Sequence, residues 1–412
     1  MLLCIFSLPF LGLNLYRCFA TKRINEFSKD AAYEFLRSSR FSWRRFLLQL
    51  AVRVCAALQS LTSEERETVL ILDDSTMHRP RAKKVELLSR VFDHAENRFL
   101  RGFRLFSLCW SDGASLAPLD FAVLSSPNEK NRFQGVTKQL DSRSCGARRR
   151  QEAVCKATDL IGPMLRRALS AGIQAKYILM DSWFGMPAII STAREHLPVI
   201  CMVKRTPKVL YGVGRQRLPV DAIYRQLRKR RGRAKILTSV VVTMNDDQTA
   251  RLVFVRNRHK KDWLALLSTN TDLAEADVVR IYGKRWDIEV FFRTIKQHLG
   301  LEKGCQARDF DAIIASTTIV MARYMFLALE QRRQDDPRTL GLLFHACCEE
   351  MRDLDYMEAL KRILTLAMIN LQENKRVAEE FCQAMMAEVL KQAFYLYGLN
   401  RQQYQRSKRV EH

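Results

Sequence analysis

The sequence predicts an α/β fold, in which a mixed sheet is interrupted by a β-strand insertion and flanked by helical N- and C-terminal regions. Three observations support this prediction. Residues 66–205 contain apolar runs in the order strand–strand–strand–helix–strand. Short β-branched runs return in residues 206–270. On both sides of these segments, apolar residues recur at helical spacing.

Residues 1–65 are predicted to be helical because apolar side chains recur every three or four positions, as in Trp43, Phe46 and Leu47. After them, runs of aliphatic and aromatic residues separated by turn signals predict strands. The predicted strands are Thr68–Leu72, Phe103–Trp110, Leu116–Leu124, Tyr177–Met180 and Val199–Val203, with a helix over Gln151–Ser170.

The segment 206–270 differs in texture from its neighbours and is predicted to be a small β insertion. It contains three strand-like runs, Ile236–Thr243, Ala250–Val255 and Leu264–Leu267. Helical periodicity resumes at Leu273–Leu299 and again from Phe310 to about Leu396. The predicted divisions are therefore 1–65 (helical), 66–205 (mixed-sheet core, first part), 206–270 (β insertion), 271–305 (core, second part) and 306–412 (helical).

Composition points to a polyanionic partner. The 412 residues include 68 Lys and Arg against 44 Asp and Glu, a formal net charge of +24. Such an excess favours nucleic acid as the partner, while 48% hydrophobic residues exclude a disordered chain. Eleven scattered cysteines without a C-x-x-C pair indicate reduced thiols in the cytoplasm. The apolar runs at residues 1–16 and 312–329 are interpreted as core helices, so no membrane span is expected.

Two predicted strands end in carboxylates, at Asp73 and Asp74 in one and at Asp181 in the other. Carboxyl ends of neighbouring strands meet at one edge of a sheet, where α/β folds place their sites. A strand-terminal aspartate is also a common turn residue, so each of these positions has a structural alternative.

A helical stripe supplies a third acidic residue. Five side chains spaced by three or four positions lie on one face of the predicted helix: Tyr282, Arg285, Glu289, Phe292 and Lys296. A solvated face with an Arg–Glu pair is the alternative, but most neighbouring positions are apolar. Three carboxylates on a basic protein suit phosphoryl transfer with two Mg²⁺ ions, for which Mn²⁺ can substitute.

The ordered set resembles the DDE transposases of insertion-sequence family four. The helix carries their Y-R-E-K pattern as Tyr282-x2-Arg285-x3-Glu289-x6-Lys296. The first aspartates stand in Leu72-Asp73-Asp74-Ser75-Thr76 and the second in Met180-Asp181-Ser182. The family also carries a β insertion between its second Asp and its Glu. The resemblance covers about residues 14–330 and implies a ribonuclease-H-like core.

Residue by residue, the resemblance implies that Asp74, Asp181 and Glu289 form the metal-binding catalytic triad. Asp73 is the rival for the first position, although the family's Asp directly precedes a Ser/Thr pair. The resemblance further implies contacts with the transposon-end backbone from Tyr282, Arg285 and Lys296. It also matches Trp263 to a tryptophan that stacks on a flipped base, with a buried aromatic at a strand start as the alternative.

Several basic clusters are predicted to bind the DNA backbone, with solvated loops as the alternative. The longest run includes Arg228, Lys229, Arg230 and Arg231 and continues to Arg233. The other clusters are His78–Lys84, Arg148–Arg150 and Arg256–Lys261.

The resemblance implies a cut-and-paste transposase that binds double-stranded DNA as a homodimer in a synapse, in the bacterial cytoplasm at the nucleoid. The helices beyond Phe310 are candidates for the dimer surface. Family members carry a longer N-terminal helical region, and the chain is expected to begin inside it. Two alternatives stay open: a ribonuclease-H-like nuclease without a joining step, and a truncated or repurposed DNA-binding protein without transposition activity.

Overall fold

A computed structural model describes residues 1–21, 26–63, 66–93, 96–245, 247–257, 262–373, 387–389 and 391. The chain forms two compact units. The first comprises Met1–Phe6 and Asn14–Gly341, and the second comprises Ser7–Leu13 and Leu342–His412. The proposed catalytic residues all belong to the first unit.

Blocks of helices and blocks of strands follow one another along the described residues. The helices are α1 (Leu2–Ser7), α2 (Leu15–Ala20), α3 (Lys29–Arg37), α4 (Trp43–Gln59), α5 (Cys145–Ala153), α6 (Ala157–Ser170), α7 (Pro187–Arg194), α8 (Val220–Gln226), α9 (Glu275–Gly283), α10 (Trp286–Gln297), α11 (Phe310–Arg333) and α12 (Leu340–Glu373). The strands are β1 (Val69–His78), β2 (Ser89–Asp93), β3 (Arg98–Ser111), β4 (Leu116–Leu124), β5 (Tyr177–Met180), β6 (Val199–Met202), β7 (Leu210–Val213), β8 (Gln216–Pro219), β9 (Ile236–Thr243), β10 (Thr249–Arg256) and β11 (Trp263–Ser268).

One mixed sheet organises the first unit. The core strands run in the order β4-β3-β1-β5-β6, with β1, β3 and β4 antiparallel and β5 and β6 parallel to β1. Three antiparallel strands continued by two parallel ones, with helices around them, form a ribonuclease-H-like α/β fold. The predicted fold class is therefore confirmed.

The β insertion extends this same sheet. From β6, the order continues β11-β10-β9-β7-β8, all through antiparallel pairs. The predicted strands of the insertion are present. The short hairpin β7–β8 and helix α8 were not predicted, because four-residue strands leave too few positions to establish an alternating pattern.

The first strand is longer than predicted. Instead of ending at Asp73 and Asp74, β1 continues to His78. The cause is the fourteen-residue β3, which pairs with every residue of β1, from Val69↔Ser111 to His78↔Gly102. Both aspartates therefore lie within a strand, and their side chains point to opposite faces of the sheet.

Two predicted helices are interrupted. The helix expected over Gln151–Ser170 is divided between α5 and α6 by a break after Ala153. The helix expected over Leu273–Leu299 is divided between α9 and α10 by a turn at Lys284 and Arg285. Both turn residues keep right-handed helical backbone angles, so the polar stripe continues across the turn.

Helix α11 is the central apolar helix of the first unit. By length and composition it could cross a membrane, but 83% of its most apolar window is buried inside the protein. Its buried Arg323 donates to the carbonyl oxygens of Ile5 and Phe6 and so attaches α1 to the core. The prediction of a core helix is confirmed for residues 312–329, whereas residues 1–16 form only the short helix α1, a turn and the start of α2.

A buried ion cluster corrects one predicted DNA surface. Arg150 is almost fully buried and pairs with Glu86 at 2.8 Å and Asp311 at 2.9 Å. Arg149 is also buried and donates to the carbonyl oxygen of Phe121. In the cluster Arg148–Arg150, only Arg148 is exposed. The prediction of a backbone-binding surface is therefore wrong for Arg149 and Arg150, whose partners come from distant segments.

We predict that Arg150→Met destabilises the protein by about 3–5 kcal/mol, because it leaves the Glu86 carboxylate buried without this cation and Asp311 with Lys138 alone, at 3.3 Å. Urea unfolding measures this loss. Arg148→Met on the same helix is the matched control and should change stability by less than about 0.5 kcal/mol. Equal losses for the two variants would contradict the assigned burial.

Candidate active site

Strand register places Asp73 beside Asp181. In the parallel pair of β1 and β5, Leu72 lies opposite Met180. Asp73 and Asp181 directly follow these two residues in the sequence. Neighbouring residues in register on parallel strands project from the same face of a sheet. The Asp181 carboxylate is held by the backbone N–H groups of Trp183 at 2.9 Å and Phe184 at 3.3 Å.

The Asp74 side chain lies on the other face of the sheet. It forms an ion pair with Arg104 on β3, and its backbone N–H donates to Asp73 at 2.8 Å. The structure therefore brings Asp73, and not the expected Asp74, together with Asp181. The physical reason is strand alternation, which sequence spacing alone did not resolve because β1 was expected to end at these residues.

Arg285 connects the helix to the strand. Its guanidinium donates to the Asp73 carboxylate at 3.1 Å and also forms an ion pair with Glu289, one helical turn later. The Glu289 side chain is 35% exposed, whereas the Asp73 side chain is only 13% exposed. Arg285 thus joins a carboxylate on β1 to one on α10, and strand register places Asp181 beside the first of them.

The buried carboxylate of Asp73 has a raised affinity for protons. Burial, and next the negative charge of Asp181, raise the pKa of Asp73 to about 7, although Arg285 opposes the shift. The hydroxyl of Tyr282 is also buried and has no hydrogen-bond partner among the described residues. Burial raises the pKa of Tyr282, and the charges of Asp181 and Asp73 act in the same direction.

The remaining predicted helix residue also reaches β1. Lys296 donates to the Ser75 hydroxyl at 2.9 Å. Burial lowers the pKa of Lys296, while Glu302 and Asp93 act against the shift. Because Ser75 and Asp73 alternate onto the same face, the helix contacts one side of β1 at two successive positions.

A second set of contacts, here called the Glu67 clamp, joins the residues just before β1 to α9 and the turn that follows it. Glu67, just before β1, accepts hydrogen bonds from Arg280 at 2.6 and 2.8 Å. Lys284 donates to the Glu67 carbonyl oxygen. These bonds set the position of α9 and α10 along β1, and hence the position of Glu289 relative to Asp73.

Sequence reasoning missed an exposed aromatic residue beside the site. The Trp183 ring is 47% exposed, with the Lys204 ammonium 5.2 Å and the Arg104 guanidinium 5.7 Å from its centroid. Next to it, Phe184 is fully buried against Phe106. The available signal was an aromatic residue two positions after a strand-terminal aspartate.

Trp263 lies in an aromatic cluster of the insertion. It is only 8% exposed, stacks on Tyr224 with ring centroids 4.3 Å apart, and is covered by the Arg205 guanidinium at 4.1 Å. Arg205 is itself paired with Asp221 and Asp262. The predicted stacking on a base would require this ring to leave its cluster.

The basic run lies in the segment between α8 and β9. Arg230 pairs with Glu275 at 2.7 Å, and Lys229 donates to the carbonyl oxygen of Arg225. Arg228 and Arg231 are exposed. In the cluster Arg256–Lys261, Arg256 binds backbone carbonyls of the insertion, and residues 258–261 lie outside the described residues.

The chain also matches models of known protein families. The family described as DDE superfamily endonuclease matches residues 20–262, which is more than half of the chain. The chain belongs to this family. A second family, described as archaeal putative transposase ISC1217, matches residues 237–323. Together these matches identify a DDE transposase of an insertion sequence, and no curated protein matches the chain significantly.

The residues of the site fit a divalent cation, which nucleases of the DDE superfamily generally use. Three carboxylates supply only oxygen donors, the ligand type that Mg²⁺ and Mn²⁺ prefer. Arg285 compensates part of their negative charge. Burial is the main cause of the raised pKa of Asp73, and a bound cation would favour its charged form.

We predict that Glu67→Gln destabilises the protein by about 0.5–1 kcal/mol at pH 7, because Arg280 and Lys284 lose an anionic partner that is partly exposed. The hydrogen bond from Arg280 is the main cause that lowers the pKa of Glu67 to about 2. The stabilisation should therefore be complete above about pH 4.5 and decline as the pH falls toward about 2.

Urea unfolding of the wild type and Glu67→Gln at pH 7 and pH 3 measures this dependence. The exposed Glu129→Gln, whose carboxylate pairs with Arg132 on the surface, is the control and should show little change. A difference between wild type and Glu67→Gln that stays constant from pH 7 to pH 3 would rule out the clamp.

Proposed function

We propose that this protein is a cut-and-paste DNA transposase that cleaves the phosphodiester bond at the ends of its insertion sequence and joins the freed end to target DNA. The pairing of Asp73 and Glu289 with Arg285, together with the register that places Asp181 beside Asp73, supports this proposal most directly. The family matches establish a protein of the transposase type. The order of the reaction steps and the residues that carry them out are proposed in addition.

We assign the metal-binding triad to Asp73, Asp181 and Glu289, with Asp73 in place of Asp74. Two Mg²⁺ ions, replaceable by Mn²⁺, would supply activation of the attacking oxygen and stabilisation of the leaving oxygen. The register of β1 and β5 supports the choice of Asp73, because it places this side chain and Asp181 on one face. Asp74 is instead paired with Arg104.

The chain's own residues position the substrate. Arg285 keeps the carboxylates of Asp73 and Glu289 together and supplies positive charge close to an incoming phosphate. The unpartnered Tyr282 hydroxyl can donate to a phosphate oxygen, and Lys296 extends the cationic side of the site along β1. These three residues are the proposed contacts with the transposon-end backbone, in keeping with the Y-R-E-K pattern of insertion-sequence family four.

The reaction has two successive steps, and in each step an oxygen nucleophile attacks a DNA phosphodiester. Water attacks the phosphodiester at the element end, the P–O bond to the 3′ oxygen breaks, and a free 3′-OH results. That hydroxyl then attacks the phosphodiester of the opposite strand or of target DNA, forming one new P–O bond as another breaks. In each step one oxygen displaces another at phosphorus, so no oxidant is needed. Because water and then the 3′-OH attack the DNA directly, no covalent protein intermediate is needed.

Two element ends must be processed together for the element to move as one piece. We therefore propose that the protein acts as a homodimer on double-stranded DNA, at the bacterial nucleoid. The basic segment around Arg228 and Arg231 is exposed and suits contact with the DNA backbone outside the triad. The family assignment and the +24 charge support this placement on DNA.

We predict that Asp73→Asn lowers metal-dependent cleavage by at least about 100-fold, since even outer-shell partners of a metal can cost that much. Asp181→Asn and Glu289→Gln should behave alike, whereas Asp74→Asn should retain most of the activity. The assay follows cutting of a duplex from the DNA flanking the gene, with Mg²⁺ and with EDTA.

Binding of the same duplex, measured in parallel, is the control and should persist in all four variants. If Asp74→Asn abolished cleavage while Asp73→Asn cleaved normally, the assigned first ligand would be wrong. Normal cleavage by Glu289→Gln would refute the metal-dependent nuclease itself.

A joining assay separates the transposase from a nuclease of the same fold. With a precleaved end bearing a 3′-OH and a plasmid target, we predict a covalent strand-transfer product that requires Mg²⁺ and is absent in Glu289→Gln. Cleavage without any joined product would favour the nuclease alternative. Binding by the wild type without cleavage would favour a repurposed DNA-binding protein.

A further inference from the structure

A basic groove lies where β1 ends. It encloses about 790 Å³ between residues 78–85 on one wall and 302–308 on the other. Its lining contains a single acidic side chain, Glu302, among several cationic ones: Arg79, Arg81, Lys83, Lys84, Lys303 and Arg308. Such a concave, strongly positive surface fits a polyanion.

Hydrogen bonds between the two walls hold the groove open. The buried Arg79 guanidinium donates to the backbone carbonyls of Glu302 and Leu301, and the His78 N–H donates to the Glu302 carboxylate at 3.1 Å. Near the other end of the first wall, the Glu86 N–H donates to the Arg308 carbonyl at 2.9 Å. Because both ends are tied, the groove exists before any ligand binds.

The charged side chains of the first wall are available to a ligand. Arg81, Lys83 and Lys84 are exposed, and the structure gives them no ion pair within the described part of the chain. The one acidic lining residue, Glu302, is engaged with the His78 N–H and faces the charge of Lys296. The net charge of the groove is therefore strongly positive.

The groove and the triad share one strand. Five residue steps along β1 lead from Asp73 to His78, a distance of about 16 Å along the strand. Lys296, bound to Ser75, lies between the two. Along the axis of duplex DNA, phosphates of one strand are about 3.4 Å apart, so this distance corresponds to about five base pairs.

We propose that this groove binds the sugar–phosphate backbone of the same DNA duplex that is cut at the triad, about five base pairs from the scissile phosphate. This inference rests on the proposed function and adds the surface and position of a second contact. The contact is assigned to backbone phosphates, because Lys83 and Lys84 bind phosphate as point charges and Arg81 lies beside them on the same exposed loop.

The experiment compares DNA binding by full-length wild type and the triple variant Arg81→Ala/Lys83→Ala/Lys84→Ala, using a 40-base-pair duplex of mixed sequence across a range of salt concentrations. Each lost phosphate contact should reduce the slope of log affinity against log salt by about 0.9, hence by about 3 in total. The matched control removes three exposed charges elsewhere, in Lys156→Ala/Arg166→Ala/Lys176→Ala, and should leave the slope unchanged.

A second arm tests the position on the duplex that the wild type cleaves. Neutral methylphosphonates placed four to six base pairs from the cut should weaken binding by the wild type but not by the triple variant. An unchanged salt slope in the triple variant, with cleavage by the wild type intact, would overturn the groove alone. Absence of DNA binding by the wild type would overturn the groove and the proposed function together.

Discussion

The site depends on a single guanidinium, that of Arg285, which binds Asp73 and Glu289 at once. Carboxylates gathered in a poorly hydrated place repel one another and become harder to ionise. Arg285 offsets this cost for the strand carboxylate and the helix carboxylate together. Without a cation at this position, the buried Asp73 would lose its ion pair, so the packing of the helix against the sheet and the chemistry of the site depend on the same contact.

Strand β1 is the common support for everything attached to the site. Glu67 clamps α9 just before the strand begins, Asp73 faces Arg285 within it, and Ser75 binds Lys296 two residues later. The strand then leads into the basic groove beyond His78. Since a strand rises by a fixed length per residue, these contacts lie at fixed distances along β1, against which the position of a duplex can be measured.

The sequence predicted the features that local patterns determine. The strand runs and the helix stripe follow from residue spacing, and the basic character follows from residue counts. The structure contains these features. Long-range partners were not predictable in this way: Arg150 looked like a surface residue until Glu86 and Asp311 proved to enclose it. The choice between Asp73 and Asp74 likewise depended on how far β1 extends, which its pairing with β3 determines.

The most direct test of this account is the position of a metal ion in a crystal of the protein with DNA and Mn²⁺, located by its anomalous scattering. The account predicts anomalous peaks within about 2.5 Å of carboxylate oxygens of Asp73, Asp181 and Glu289, the range for hard divalent cations. A peak bound by Asp74 on the opposite face of the sheet, with none at Asp73, would contradict it.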